Sequence, residues 1–442
     1  MLIIKLTDIL APIMIQEFKT KNFRSFKDEV TLSFEATKDT TFENTQVVEV
    51  ASGVRLLRLA IIYGANASGK SNLLDAFNFL RRFWFERHTD MDEPTGTIPF
   101  LLDKDTPGQP TEFSLKFYIG SIRYWYQLIL DKHHVVLEKL FYYRTVQPTM
   151  LFSREFKDGQ SVIKFNPVVI KVNDNVLDEI TLKCLPNMSF FAARNMVNCS
   201  LEYVDEARDW MRRHALPLID PRTIMFNYAG QKMLRDTDLK KYILNFIHRA
   251  DFNITDVNVE KKAEPIPSEF RNILLNDDNI SKEEKDKIQV NPVFNRINTN
   301  FEHTIKNSRG VEKYILPEEL QSQGTRRTFG IEAAIYQAIS NEEFLPIDEI
   351  ESSLHPELIE FILEQFLKIN NRSQLLVTTH YDPLLNTVDD LIRKDSVWFT
   401  EKREDGNSDL YSLTDFKGLN KIRSFQKSYR NGAFGALPNI QA

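Results

Sequence analysis

Two cysteines, Cys184 and Cys199, are all that the 442 residues contain. They show no C-x-x-C spacing and no histidine cluster beside them, which excludes zinc ribbons, zinc fingers and a disulfide framework. One bridge is the most their number allows, and two inert thiols in a reducing compartment is the expectation. A basic excess is also missing. Lysine and arginine total 56 against 62 acidic residues, for a formal net charge of −6 and a pI near 5.9. No global footprint for nucleic acid or an anionic membrane is present, which leaves only local basic patches. No uninterrupted apolar run approaches the ~18 residues that a bilayer-spanning helix requires. Sustained heptads are lacking too, and Pro148, Pro167, Pro186, Pro217 and Pro221 punctuate the middle of the chain where a long coiled coil would have to run.

The opening "MLIIKLTDILAPIM" is apolar, but Lys5, Asp8 and Pro12 interrupt it and no small-residue cleavage site follows. It is not read as an export signal, and a cytoplasmic protein is expected. Because strand-like patterning begins at Ile15, Met14 is a second candidate start. A hydrophobic content of 42% over this length can bury a sizeable core in two or three domains.

What is present begins with "LAIIYGANASGKSNLLDAF". Gly64, Gly69, Lys70 and Ser71 match G-x-x-x-x-G-K-[ST] without a mismatch. Residues 59–63 read as a buried strand, and Leu73, Phe77, Leu80 and Trp84 recur at helical spacing, so the order is strand, glycine loop, helix. In such a loop the backbone N–H groups of Gly64, Asn66, Ala67, Ser68 and Gly69, and the helix N-terminus at Lys70, Ser71 and Asn72, would face nucleotide phosphates. Lys70 adds a cation, and the Ser71 hydroxyl is the expected Mg²⁺ ligand.

A second motif supplies carboxylates. In "FLPIDEIESSLHP" a short apolar run ends in Asp348 and Glu349, fitting a strand that presents Asp348 to Mg²⁺ and Glu349 to the attacking water. Pro346 is a departure, since proline belongs at a sheet edge or at a strand's first residue. Leu358, Phe361, Ile362 and Phe366 then mark a helix, and "QLLVTTH" a further strand that delivers His380 to the same sheet edge. This β-α-β order favours a parallel sheet.

Lys70 and Asp348 stand far apart in the chain, so something large is inserted between them. Alternating residues between 103 and 144 indicate antiparallel strands, roughly 201–250 reads as helical, and 253–314 as strands broken by a polar loop near 263–290. The order of motifs resembles the ATP-binding cassette heads of the SMC and RecF superfamily. That resemblance implies an α/β fold: a head with a mixed or parallel P-loop sheet, an antiparallel β-subdomain, a largely helical insertion and no long coiled coil. Its lobes would be residues 1–165 and 311–442, with the insertion at 166–310.

The resemblance extends to "IQEFKTKNFRSFKDEVTLSF", similar to the opening strand pair of those heads, and it places Arg24 and Ser25 near the nucleotide. It also gives a role to "SQGTRR". Ser322, Gln323, Gly324 and Thr325 open a helix whose face is Ile331, Ala334, Ile335 and Ala338, and they stand where the signature motif of cassette ATPases stands. In that family the signature of one copy closes over the phosphate held by the other, so ATP and Mg²⁺ would be bound in a homodimer. Gln323-Gly324-Thr325 departs from the Leu-Ser-Gly-Gly form, and a plain helix cap by Ser322 or Thr325 fits the same residues. Arg326 and Arg327 follow as cationic candidates.

"SLHPELIEFI", "QLLVTTHYDPLL" and the tail from "DSVWFTEK" to "YRNGAFGALPNI" further resemble stand-alone ATP-binding proteins of bacterial abortive-infection and phage-defence loci, relatives of the OLD-type ATPases. The implied role is an ATPase controlling a separate effector, nuclease-like or toxin-like. The alternative is a RecF-like repair factor that binds DNA directly through the arginine-aromatic stretches "RRFWFERH" and "ARDWMRRH". A transporter ATPase subunit and a non-hydrolysing scaffold locked by ATP fit fewer of these features.

Overall fold

A computed structural model describes residues 13–250, 253–277 and 280–438. The apolar opening segment therefore lies outside the described residues up to residue 12. Met14 is inside them, buried in strand Ile13–Lys21 against Val50, Leu56 and Tyr118. By compactness the chain forms two units, one of Met1–Arg222, Gln337–Ser352 and Ile362–Ala442, the other of Thr223–Tyr336 and Ser353–Phe361.

The first unit contains a five-stranded sheet in the order Phe344–Ile347, Gln374–Thr379, Leu59–Tyr63, Val397–Lys402, Ser408–Ser412. The first four strands are parallel and the last is antiparallel. Leu59–Tyr63 is buried at every position, as a central strand covered on both faces must be. Phe344–Ile347 is the outermost named strand, which accounts for Pro346. The Pro346 carbonyl accepts from the Ile219 N–H at 3.0 Å, so its missing donor faces the segment at 215–219 and not the strand Gln374–Thr379.

A seven-stranded antiparallel sheet, in the order Gln160–Phe165, Thr149–Lys157, Val135–Tyr143, Ile122–Leu130, Thr111–Ile119, Ile13–Lys21, Val30–Ser33, belongs to the same unit. Its strands alternate buried and part-exposed residues, the signature of a sheet with one covered face. Gln374 ties the two sheets together: its side chain accepts from the Ile15 N–H (2.7 Å) and donates to the carbonyls of Ile15 (2.9 Å) and Leu57 (3.0 Å).

Between the sheets runs helix Lys70–Phe83. Phe77 meets Phe18 edge-on at 5.6 Å and Phe344 at 4.8 Å, while Trp84 stacks on Phe191 at 3.9 Å. Each fully buried ring of this kind contributes ~1.5–3 kcal/mol of apolar burial. The helix that begins at Lys70 is therefore held from both sides.

The second unit packs helices Phe226–Met233 and Thr237–Arg249 with a three-stranded antiparallel sheet, Ile254–Pro265, Val293–Asn307 and Gly310–Pro317. Phe226, Ile243, Val257, Phe301 and Phe329 form its core. Residues 263–290, read from the sequence as a polar loop, instead include two helices, Ser268–Asn276 and Lys282–Val290. Neither buries a described residue, although the first sets Phe270, Ile273 and Leu274 at helical spacing. The second relies on a capping box in which Ser281 and Glu284 bond reciprocally.

Glu332, in helix Gln323–Asn341, is 1% exposed. Loss of solvent pushes its carboxyl up to about 8, with the Tyr242 hydroxyl opposing in part. Because the folded value stands above the ordinary value near 4.5, folding stability from this group is intact below about 4.5 and is lost as pH climbs towards 8, at ~1.4 kcal/mol per unit. Glu332→Gln should flatten that loss. Melting followed at pH 5 and pH 8.5 should show the variant gaining on the wild type at the higher pH, and an identical pH response would clear Glu332 as the cause.

Candidate nucleotide site

Strand Leu59–Tyr63 delivers its C-terminal end to Gly64, whose φ of 158° is extended, and the loop then turns through Ala67 at φ 61° and Gly69 at φ 117°. Gly69 is obligatory on two counts. Its φ is in the left-handed region, and a Cβ there would come 2.7 Å from the Ser408 hydroxyl and 3.0 Å from that of Ser25. A Cβ on Gly64 would come 2.5 Å from the Thr400 carbonyl. Ser68 is pinned through its hydroxyl to that of Thr400 at 2.6 Å.

Lys70 is 4% exposed and its ammonium turns back into the loop, donating to the carbonyls of Gly64 (2.8 Å) and Ala65 (3.0 Å). Burial pulls it down to about 8, against the nearby carboxylates of Asp348, Glu351 and Glu349, which favour the charged form. A desolvated cation in a loop of this backbone shape fits a phosphate group, which would restore its favourable environment.

The carboxylates follow strand Phe344–Ile347, one strand removed from the P-loop strand, with Gln374–Thr379 between. Asp348 is 6% exposed and accepts from the Thr378 hydroxyl at 2.5 Å. The same hydroxyl accepts from the Glu349 N–H at 2.8 Å, so one threonine orients both acidic residues. Glu349 is held at φ 46°, a conformation few non-glycine residues adopt, which turns its side chain out of the strand direction. His380 follows strand Gln374–Thr379. Its Nδ1 lies 3.2 Å from the Lys70 Nζ and its Nε2 lies 3.4 Å from a Glu349 carboxylate oxygen, while its backbone N–H donates to Glu351. Lys70, His380 and Glu349 thus form a continuous polar chain across three parallel strands.

The turn at 22–26 reaches the same cleft. Ser25 accepts from the Asn72 side-chain amide at 2.8 Å, and its carbonyl accepts from the Ser408 N–H at 2.8 Å. Arg24 is paired with Asp75 at 2.5 Å. A cavity of about 530 Å³ is lined by Ser25, the loop from Asn66 to Asn72, Glu349, His380 and Lys402. Ser71 lines it too, whereas Asp348 is not among its walls; a hydroxyl and a carboxylate are the donor types a divalent cation takes. Thr378, Thr400, Ser408 and Glu351 complete the surroundings and were not singled out from sequence. Only Thr378 carried a cue, the paired threonines just before His380.

Within the second unit, Ser322 precedes helix Gln323–Asn341 and its hydroxyl accepts from the Thr325 N–H at 3.0 Å. Gln323 is exposed, and a Cβ on Gly324 would come 2.8 Å from the Ser353 carbonyl. Of the arginine-aromatic stretches, Trp84 and Phe83 are fully buried and Trp210 stacks on Phe117 at 3.9 Å. Arg81 donates to the Ala215 carbonyl, and Arg208 pairs with Asp205 and Asp209. These rings are not free to stack on bases. Cys184 and Cys199 are both free thiols, and burial pushes Cys184 up to about 11. Among the described residues no helix is long and apolar enough to cross a membrane.

Comparison with known proteins places this geometry in a family. Among solved structures the chain is similar to an SMC head domain from Thermotoga maritima, at 12% identity over 90% of this chain and 98% of that one, with a TM-score of 0.39. It is also similar to an Smc head bound to the C-winged helix domain of ScpA (14% identity, 94% and 99% covered, TM-score 0.40). A third is an Smc head domain with an extended coiled coil bound to the C-terminal domain of ScpA derived from Pyrococcus furiosus (13%, 91% and 97%, TM-score 0.36). No curated protein matches. A family model described as "AAA domain, putative AbiEii toxin, Type IV TA system" matches residues 59–386, from the first residue of the P-loop strand to just beyond His380. With a phosphate loop, an acidic strand end and a histidine gathered on one sheet edge within that span, the chain belongs to this family of P-loop ATPase domains.

Proposed function

We propose that this protein binds and hydrolyses ATP, that two copies close around the nucleotide, and that the closed state controls a separate effector in antiviral defence of the abortive-infection type. The observation that carries the hydrolytic part is the chain Lys70, His380, Glu349 at 3.2 and 3.4 Å along the phosphate cleft. The P-loop N–H groups and Lys70 would hold the β- and γ-phosphates. Glu349 would take the proton from a water attacking the γ-phosphorus as ADP departs, and His380 would orient that carboxylate and contact the developing charge. Mg²⁺ held by Ser71 and Asp348 would neutralise phosphate charge.

The second copy enters through residues 322–325, whose helix N-terminus suits a γ-phosphate once the Ser322 hydroxyl, now capping Thr325, turns to it. An effector supplied in trans, nuclease-like or toxin-like, follows from the family resemblance and not from site chemistry. As a functional division we keep lobes 1–165 and 311–442 around an insertion at 166–310, distinct from the division by compactness. Direct DNA binding loses the base-stacking support of the two arginine-aromatic stretches and keeps only their exposed arginines, Arg82, Arg87, Arg212 and Arg213.

The test is phosphate release from ATP and Mg²⁺ by the purified chain, beside equilibrium binding of a fluorescent ATP analogue. Lys70→Ala should abolish both. A wild type that binds the analogue but releases no phosphate would replace the hydrolytic reading with that of a scaffold locked by nucleotide.

A further inference from the structure

The tail at 425–438 carries no recognised motif, yet it adjoins the site. It walls one side of a second cavity, of about 1030 Å³, whose other walls include Gly64, Ser68, His380 and Asp382. The tail is fixed there by its aromatic rings. Tyr429 stacks on Phe399 of the strand beside the P-loop strand, at 5.6 Å, and Phe434 does so at 5.7 Å, while the Tyr411 hydroxyl donates to the Phe434 carbonyl at 2.8 Å.

One charged residue of the tail faces the histidine loop. Arg430, the last residue of helix Phe425–Arg430, grips Asp382 with two guanidinium nitrogens, Nε to one carboxylate oxygen and Nη2 to the other at 3.0 Å. Asp382 opens the short turn Asp382–Thr387 two residues after His380. That turn is gripped a second time, since Gln426 accepts from the Asn386 side-chain amide at 2.7 Å. The histidine itself is tethered by its backbone N–H to Glu351 and by the 3.2 and 3.4 Å contacts of its ring, and the Tyr381 N–H donates back to the Thr379 hydroxyl at 3.0 Å.

We infer that Arg430 is a positioning residue for His380: its two-pronged pair with Asp382 sets where the loop after strand Gln374–Thr379 leaves the sheet, and so keeps the imidazole between Lys70 and Glu349. This rests on the ATPase reading for its kinetic consequence but not for its geometry. A planar guanidinium fixes a carboxylate in direction as well as distance, which a lysine ammonium does not. Arg430 is 60% exposed, so the pair adds little to stability. Because the aromatic rings anchor the tail and Gln426 still holds Asn386, Arg430→Ala releases Asp382, the end of the turn nearest His380, without undocking the tail.

The experiment has two readouts. In protein labelled with ¹⁵N-histidine, with the His380 signal assigned through His380→Ala, Arg430→Ala should move that signal and Arg430→Lys should move it less. In ATP turnover, Arg430→Ala should lower kcat by up to roughly 10²-fold, the effect of a displaced catalytic group, with affinity for the ATP analogue unchanged and no further loss in a His380→Ala background. An unmoved His380 signal in Arg430→Ala overturns the inference whatever the turnover, as does an additive loss in the His380→Ala background. A wild type without turnover whose His380 signal still responds to Arg430→Ala supports the positional link and removes only the hydrolytic reading.

Discussion

Glu349→Gln should lower ATP turnover by roughly 10² to 10⁴-fold, the range a general base contributes, while leaving ATP bound and favouring the dimer. The substitution is well posed because little else changes. The backbone at φ 46° and its N–H bond to the Thr378 hydroxyl do not depend on the side-chain terminus, and glutamine fills the same space beside His380. What disappears is an oxygen able to accept a proton from water. Single-turnover phosphate release with the ATP complex formed beforehand separates this from any change in binding. Undiminished turnover would remove Glu349 from the mechanism and return attention to the other carboxylates near Lys70, those of Asp348 and Glu351.

The second large effect is on assembly. Gly324→Asp should leave ATP binding intact and weaken ATP-driven dimerisation by roughly 10²-fold, since a like charge set against a phosphate costs several kcal/mol. Any side chain there also meets the Ser353 carbonyl, 2.8 Å from the Cβ position, so charge and crowding act together. Gln323→Glu separates them. Gln323 is exposed, so the added charge brings no crowding, and within its own chain it meets only the helix N-terminus and Arg326 and Arg327 one turn on, which favour it. Light scattering with and without ATP should show both variants impaired. A wild-type dimer for Gly324→Asp would sink the signature reading, and a defect confined to Gly324→Asp would reduce it to local packing around Ser353.

The parts of the site that could be read from sequence are those whose chemistry is contiguous. Glycine spacing, a lysine at a helix start and an acidic pair at a strand end are local requirements, so Gly64 to Ser71, Asp348, Glu349 and His380 were legible. Thr400 and Ser408 were not, because a hydroxyl on a strand has no distinguishing neighbours and these meet the P-loop only through sheet pairing. Arg24 was legible as a cation but not as one already paired with Asp75, a contact set by the packing of a turn on a helix. Pro346 looked anomalous for a strand until its place at the sheet's margin was known. The helices within 263–290 escaped for the opposite reason. They bury nothing: Phe270, Ile273 and Leu274 stand at helical spacing in the first and the Ser281 and Glu284 box opens the second, but the charge around both signals makes the stretch read as a loop.

The placement of strand Leu59–Tyr63 also bears on how the protein comes into being. Both of its partners, Gln374–Thr379 and Val397–Lys402, are made long after it. At ~5–20 residues per second on the ribosome the strand waits on the order of tens of seconds for either neighbour. Closing so long a loop is slow in itself. Until then the phosphate loop has no sheet edge to hang from and no histidine or carboxylate beside it. The cleft as described is therefore complete only when late segments slot in around an early strand.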